Sequence, residues 1–151
     1  MSTVLVLNGP NLGRLGSREP DVYGNQDLPA LKALLESEAP EGVEIDLRQT
    51  NDEATLIEWL YEAVDTSSPV ILNPAAFTHY SYGLRDAAAL VTKAGLKLIE
   101  VHISNPHARE EFRHASVISA VASGVIAGFG FDSYSLALTA LGRTVFSRNA
   151  R

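Results

Sequence analysis

The stretch Leu98-Ile99-Glu100-Val101-His102-Ile103-Ser104-Asn105 decides the fold. Leu98, Ile99 and Val101 make it almost continuously apolar, as in a strand buried on both faces. Polar residues and Pro106 follow, and proline cannot continue a sheet ladder. Glu100 and His102 lie two apart, so on a strand they share a face. An acid beside a histidine at the carboxyl end of a central strand matches a base and its orienting partner. Taken alone, these two residues read more simply as a core histidine satisfied by a nearby acid. The rest of the chain decides between the two.

Working outward, the same strand signature recurs. Val4-Leu5-Val6-Leu7 stops at Asn8-Gly9-Pro10-Asn11, and Pro69-Val70-Ile71-Leu72 stops at Asn73. Ser123-Gly124-Val125-Ile126-Ala127-Gly128 is the last strand. Val43, Ile45 and Leu47 instead alternate with Glu44, Asp46 and Arg48, the pattern of an edge strand with one solvated side. Helical stripes lie between the strands: Leu28, Leu31 and Leu35 after the cap Asp27; Ile57, Leu60, Tyr61 and Val64 after Asn51 or Asp52; Leu84, Ala87, Ala88 and Val91 before Gly95. A closing helix from about Asp132, its expected cap, carries Tyr134, Leu138, Leu141 and Val145. A short basic helical segment after Pro106 places Arg109 and Arg113 four apart on one face. Alternation from end to end predicts one domain over 1–151 with a parallel sheet and helices on both faces. Five strands with the second at the edge fit the flavodoxin-like, three-layer order 2-1-3-4-5. Ligands of such sheets bind beyond the carboxyl ends of the strands, where Asn8, Asn11, Asn73 and His102 all fall. That gathering of polar side chains favours function over the bland reading.

Bulk properties narrow the function. The chain has 151 residues, 46% of them apolar, as in an ordinary globular domain. A formal charge of -6 disfavours nucleic acid or an anionic membrane as partner. Without cysteine there is no disulfide, thiolate metal site or cysteine nucleophile. The first strand begins almost at Met1 and no apolar run reaches membrane-spanning length, which predicts a cytoplasmic protein.

Several chemistries fit poorly. His79, His102, His107 and His114 form no HxxxH pair for a metal. Asn8-Gly9-Pro10-Asn11-Leu12-Gly13 matches neither phosphate-binding glycine motif, and Pro10 lacks an amide hydrogen. A phosphoacceptor receiver needs acids where Asn8 and Asn73 stand, and no GxSxG elbow marks a serine hydrolase. Lys32, Lys93 and Lys97 fall on helices or at the wrong end of a strand for an imine. What remains is an acid–base site for an anionic, hydroxyl-bearing small molecule, with Asn11, Asn73, His79, Ser104, Arg109 and Arg113 as candidate donors. A non-catalytic binding module for a carboxylated polyol is the alternative. It would need neither a base nor an acid.

The base candidate is Tyr23, in a glycine-rich loop of residues 8–26 that reads as a lid and also carries Arg14 and Arg18. Asn8 and Gly9 read here as turn residues. A free phenol stays protonated until about pH 10, and ionising it at neutral pH costs roughly 4 kcal/mol. One guanidinium at about 4 Å offsets that amount at an effective dielectric of about 20. A tyrosinate beside Arg18 is therefore energetically reasonable.

At this point a resemblance emerges. Asn8 to Gly16 with Arg18, Glu19, Pro20, Tyr23 and Gly24 resembles the opening of type II 3-dehydroquinate dehydratases. Asn73-Pro74-Ala75-Ala76-Phe77-Thr78-His79, Leu84-Arg85-Asp86-Ala87 and Glu100 to Asn105 are similar to the next blocks of that family. His107 to Arg113 and Ser123 to Gly128 complete the match in one register, whereas Phe77, Tyr80, Tyr82 and Gly83 depart from the commonest pattern. The resemblance implies conversion of 3-dehydroquinate to 3-dehydroshikimate through an enolate, the third step of the shikimate route, with no metal or organic cofactor. It implies Tyr23 as base with Arg18 and Arg109 beside it, Asn11 acting through a water on the enolate oxygen, and His102, oriented by Glu100, as acid. Ile103 and Ser104 would bind the carboxylate, and Asn73, His79 and Arg113 the ring hydroxyls. Asp86 would reach a neighbouring subunit's site in a dodecamer of four trimers.

Overall fold

Each central strand is buried on both faces, and the two faces lead to different helices. The computed structural model describes residues 2–16 and 26–146. Strands β1 (Ser2–Asn8), β2 (Val43–Gln49), β3 (Val70–Asn73), β4 (Leu98–His102) and β5 (Gly124–Ala127) pair in parallel in the order β2-β1-β3-β4-β5. This is the flavodoxin-like order, with the alternating strand β2 at one edge. Helices α1 (Leu28–Glu38) and α4 (Asp132–Leu141) cover the face of Val4, Val6, Ile71, Ile99 and Val101. Helices α2 (Glu53–Thr66) and α3 (Tyr82–Lys93) cover the face of Leu5, Leu7, Val70, Leu72 and Leu98. Side chains alternate along a strand, so this parity also sorts the polar residues at the strand ends.

Local signals explain the helix boundaries. Asp27 accepts from the Ala30 amide, Asp52 from Thr55 and the Ser81 hydroxyl from Leu84, each satisfying an orphan first-turn donor. Gly95, at φ 83°, turns the chain out of α3 in a conformation that suits glycine. Three expectations need correction. The position before α4 belongs to Phe131, Asp132 is already helical, and no side chain caps that end. Tyr61 is 42% exposed, because the inward stripe of α2 runs Leu56-Leu60-Ala63 and Tyr61 falls one position off it. The segment after Pro106 is not one helix. It is two short 3-10 turns, Pro106–Ala108 and Glu111–Arg113, split by extended backbone at Arg109 and Glu110. No helix among the described residues is long and apolar enough to cross a membrane.

Candidate active site

Parity divides the carboxyl edge of the sheet into two halves. Glu100 and His102 fall on the α3 side of β4, while Asn8 and Asn73, directly paired across β1 and β3, fall on the α4 side. Glu100 is fully buried, and its Oε2 accepts from His102 Nε2 at 2.5 Å. Three hydroxyls complete its shell. Thr78 donates at 2.7 Å, Ser119 at 2.6 Å and Ser116 at 3.0 Å. The Ser116 oxygen is itself fixed by the amides of Ile118 and Ser119, which leaves its hydrogen for the carboxylate. Burial pushes the Glu100 carboxyl up, yet the hydrogen bond and charge of His102, with the Ser119 and Thr78 hydroxyls, outweigh it. Together they hold the group below the usual carboxylate range. An ionised carboxylate only accepts, so Nε2 carries hydrogen and Nδ1 is the nitrogen left to serve a ligand.

Beside this dyad opens a cleft of about 120 Å³, several times the ~30 Å³ share of a liquid water, so it takes a molecule larger than solvent. Its lining brings together Asn11, Asn73, His79, His102, Ile103, Ser104, Arg109 and Arg113 from three stretches of chain, the turn after β1, residues 73–79 and residues 102–113. His79 donates from Nδ1 to the Ala115 carbonyl at 2.9 Å, which sets its tautomer and leaves Nε2. Arg109 Nη1 lies 3.3 Å from the Ser104 hydroxyl, and Arg113 pairs with Glu110 at 2.9 Å. Asn11 sits at φ 70°, a left-handed conformation that asparagine tolerates better than most residues. Its backbone N–H donates to Asn51 Oδ1 at 2.9 Å, and Gln49 Nε2 bridges Asn51 to the Gly9 carbonyl. The tip of β2 thus holds the turn that carries Asn11.

Most of the residues expected from sequence converge here. Arg109 and Arg113 do so through two 3-10 turns rather than a shared helix face. Asp86 stands exposed on α3 and is not part of the cleft lining. Tyr23 and Arg18, and much of the expected lid 8–26, lie outside the described residues. Asn8 is more than a turn residue. It is fully buried, and its amide donates to the Arg48 carbonyl at 3.1 Å. Sequence reasoning missed the supporting shell of Thr78, Ser116, Ser119, Gln49, Asn51 and Tyr134. Only Thr78 had a usable signal, standing next to His79. Among the described residues, no cluster of three or more histidine or acidic side chains is placed to hold a metal.

Fold and site together define a flavodoxin-like α/β protein with an acid–base cleft at the carboxyl edge of its sheet. The family model described as dehydroquinase class II matches residues 2–142, and the chain belongs to that family. It is 56% identical to a 3-dehydroquinate dehydratase of Salinispora tropica, over 89% of this chain and 93% of that one. It is 51% identical to a 3-dehydroquinate dehydratase of Halalkalibacterium halodurans, over 93% of this chain and 96% of the relative. The crystal structure of a type II dehydroquinase from Propionibacterium acnes superposes with a TM-score of 0.89 at 46% identity, covering 95% of this chain and 97% of that one.

Proposed function

We propose that this chain is a hydro-lyase that dehydrates 3-dehydroquinate to 3-dehydroshikimate, the third step of the shikimate route. The observation that carries the reading is the buried Glu100–His102 pair beside a cleft lined by amide, imidazole and guanidinium donors, in a member of this family. Tyr23 takes the proton from the carbon beside the ketone, with Arg18 and Arg109 stabilising its phenolate. The electron pair moves onto the ketone oxygen, where Asn11, through a water, stabilises the enolate. The enolate then re-forms the ketone, the carbon–carbon double bond forms, and the carbon–oxygen bond of the leaving hydroxyl breaks. His102 supplies the proton that turns the hydroxyl into water, and Glu100 stabilises the imidazolium that must precede this step. Ile103 and Ser104 hold the carboxylate; Asn73, His79 and Arg113 hold the ring hydroxyls.

The whole chain works as one catalytic domain, with residues 8–26 closing over the cleft, in the cytoplasm. The resemblance implies a dodecamer of four trimers in which Asp86 completes a neighbour's site, and exposed apolar side chains, Tyr80 (59%), Phe112 (60%), Val125 (47%) and Phe129 (62%), offer surface for contact between copies. An ultraviolet assay for the conjugated enone tests the reading. Turnover that survives both chelator and borohydride is expected. Inactivation by borohydride with substrate would indicate an imine and overturn the enolate route.

A further inference from the structure

On the α4 side of the carboxyl edge lies a buried phenol for which the mechanism has no role. Tyr134 of α4 is fully buried, and its hydroxyl meets both strand-end asparagines. The polarity of this chain of hydrogen bonds is set from each end by backbone groups. Asn8 Nδ2 donates to the carbonyls of Arg48 and Val6, so only its Oδ1 remains to accept. Tyr134 must therefore donate to Asn8, at 2.6 Å. Burial holds the phenol protonated, and its lone pair accepts from Asn73 Nδ2 at 2.9 Å. At the far end Asn73 Oδ1 accepts from the Ala75 amide at 3.1 Å, bracing a residue at φ 52°. Reversing either amide would break bonds at both of its ends.

We propose that Tyr134 is a positioning residue of the cleft: it locks the Asn73 amide so that the second Nδ2 hydrogen is what Asn73 offers a ligand. The position is thus a donor, read by a hydroxyl or carboxylate oxygen. This deepens the dehydratase reading and rests on it. Loss of the hydroxyl removes one of the two bonds that oppose reversal of the amide, leaving only that from Ala75, and so weakens binding without touching the reacting atoms.

The test compares Tyr134→Phe, Asn73→Ala, Asn73→Asp and the Tyr134→Phe/Asn73→Ala double variant, with folding checked by circular dichroism. Tyr134→Phe is expected to raise KM by about tenfold with kcat within about threefold. The double variant should be no worse than Asn73→Ala. Asn73→Asp, which replaces donor by acceptor, should lose affinity at least as much as Asn73→Ala. In the unmodified protein, binding of the product 3-dehydroshikimate should shift one Asn73 side-chain amide proton in nitrogen–proton spectra, and the other should exchange slowly. A wild-type KM in folded Tyr134→Phe, additive losses in the double variant, wild-type affinity in Asn73→Asp, or amide protons unmoved by product would each overturn the proposal. If the unmodified protein does not turn over 3-dehydroquinate, the dehydratase reading fails instead.

Discussion

In the proposed mechanism Tyr23 and His102 act on opposite sides of the reaction, as base and acid. Tyr23→Phe should abolish turnover while product affinity, followed by titration, stays within about tenfold, or about 1.4 kcal/mol. A variant that still turns over would remove the phenol from the base role. On the acid side, the consequence is one of stability and pH. The Glu100 carboxyl is held below its ordinary range in the folded chain. It therefore contributes stability that is complete above the unfolded value of about 4.3 and lost as the pH falls through the lower folded value. Thr78→Val removes one donor to a fully buried carboxylate and should cost about 1.5–3 kcal/mol at neutral pH. The gap to the parent protein should close on acidification, as urea denaturation between pH 7 and pH 3 would show. A gap that does not change with pH would mean that the hydroxyl serves packing alone.

At the scale of elements, the ends of β1, β2 and β3 act as one unit. A Cβ on Gly9 would lie 2.5 Å from the Pro74 carbonyl oxygen, which is backbone and cannot swing aside. Gly9→Ala should push the β1 and β3 ends apart, costing about 1–3 kcal/mol in thermal or chemical denaturation. An unchanged stability would show that the two turns are free to separate. The tip of β2 makes a separable contribution. Asn51→Ala removes the acceptor for the Asn11 amide and should lower kcat/KM by about tenfold, whereas Asn51→Asp keeps that acceptor and should restore most of it. Equal losses in both variants would break the link between the β2 tip and Asn11. The strands and the helix stripes of Leu31 and Leu35 and of Leu84, Ala87, Ala88 and Val91 were legible because periods of 2 and 3.6 are written into the order of apolar residues. The split at Arg109 and Glu110 was not, since four-residue spacing cannot distinguish a helix from two 3-10 turns that return both side chains to one cleft.

For the molecule as a whole, the question is how one chain completes a site. Asp86 is exposed on α3 and stands outside its own cleft lining, as a residue serving a neighbour would. Asp86→Ala and His102→Ala proteins should each lose turnover, and mixed oligomers of the two should regain part of it, because some sites then hold both groups. No recovery in oligomers shown by mass spectrometry to contain both subunits would count against a shared site. From the sequence by itself came the strand–helix alternation, the edge position of β2, the Glu100–His102 pair and the family blocks. All of these depend on neighbours a few residues apart or on runs of residue type. Only the tertiary structure decided that Thr78, Ser116 and Ser119 enclose Glu100, and that Tyr134 joins Asn8 to Asn73 across 126 and 61 residues of chain. Serine and threonine carry no periodic signature, the helical stripe says only that Tyr134 faces inward, and the partners of all three are set by which strand ends the sheet order places side by side.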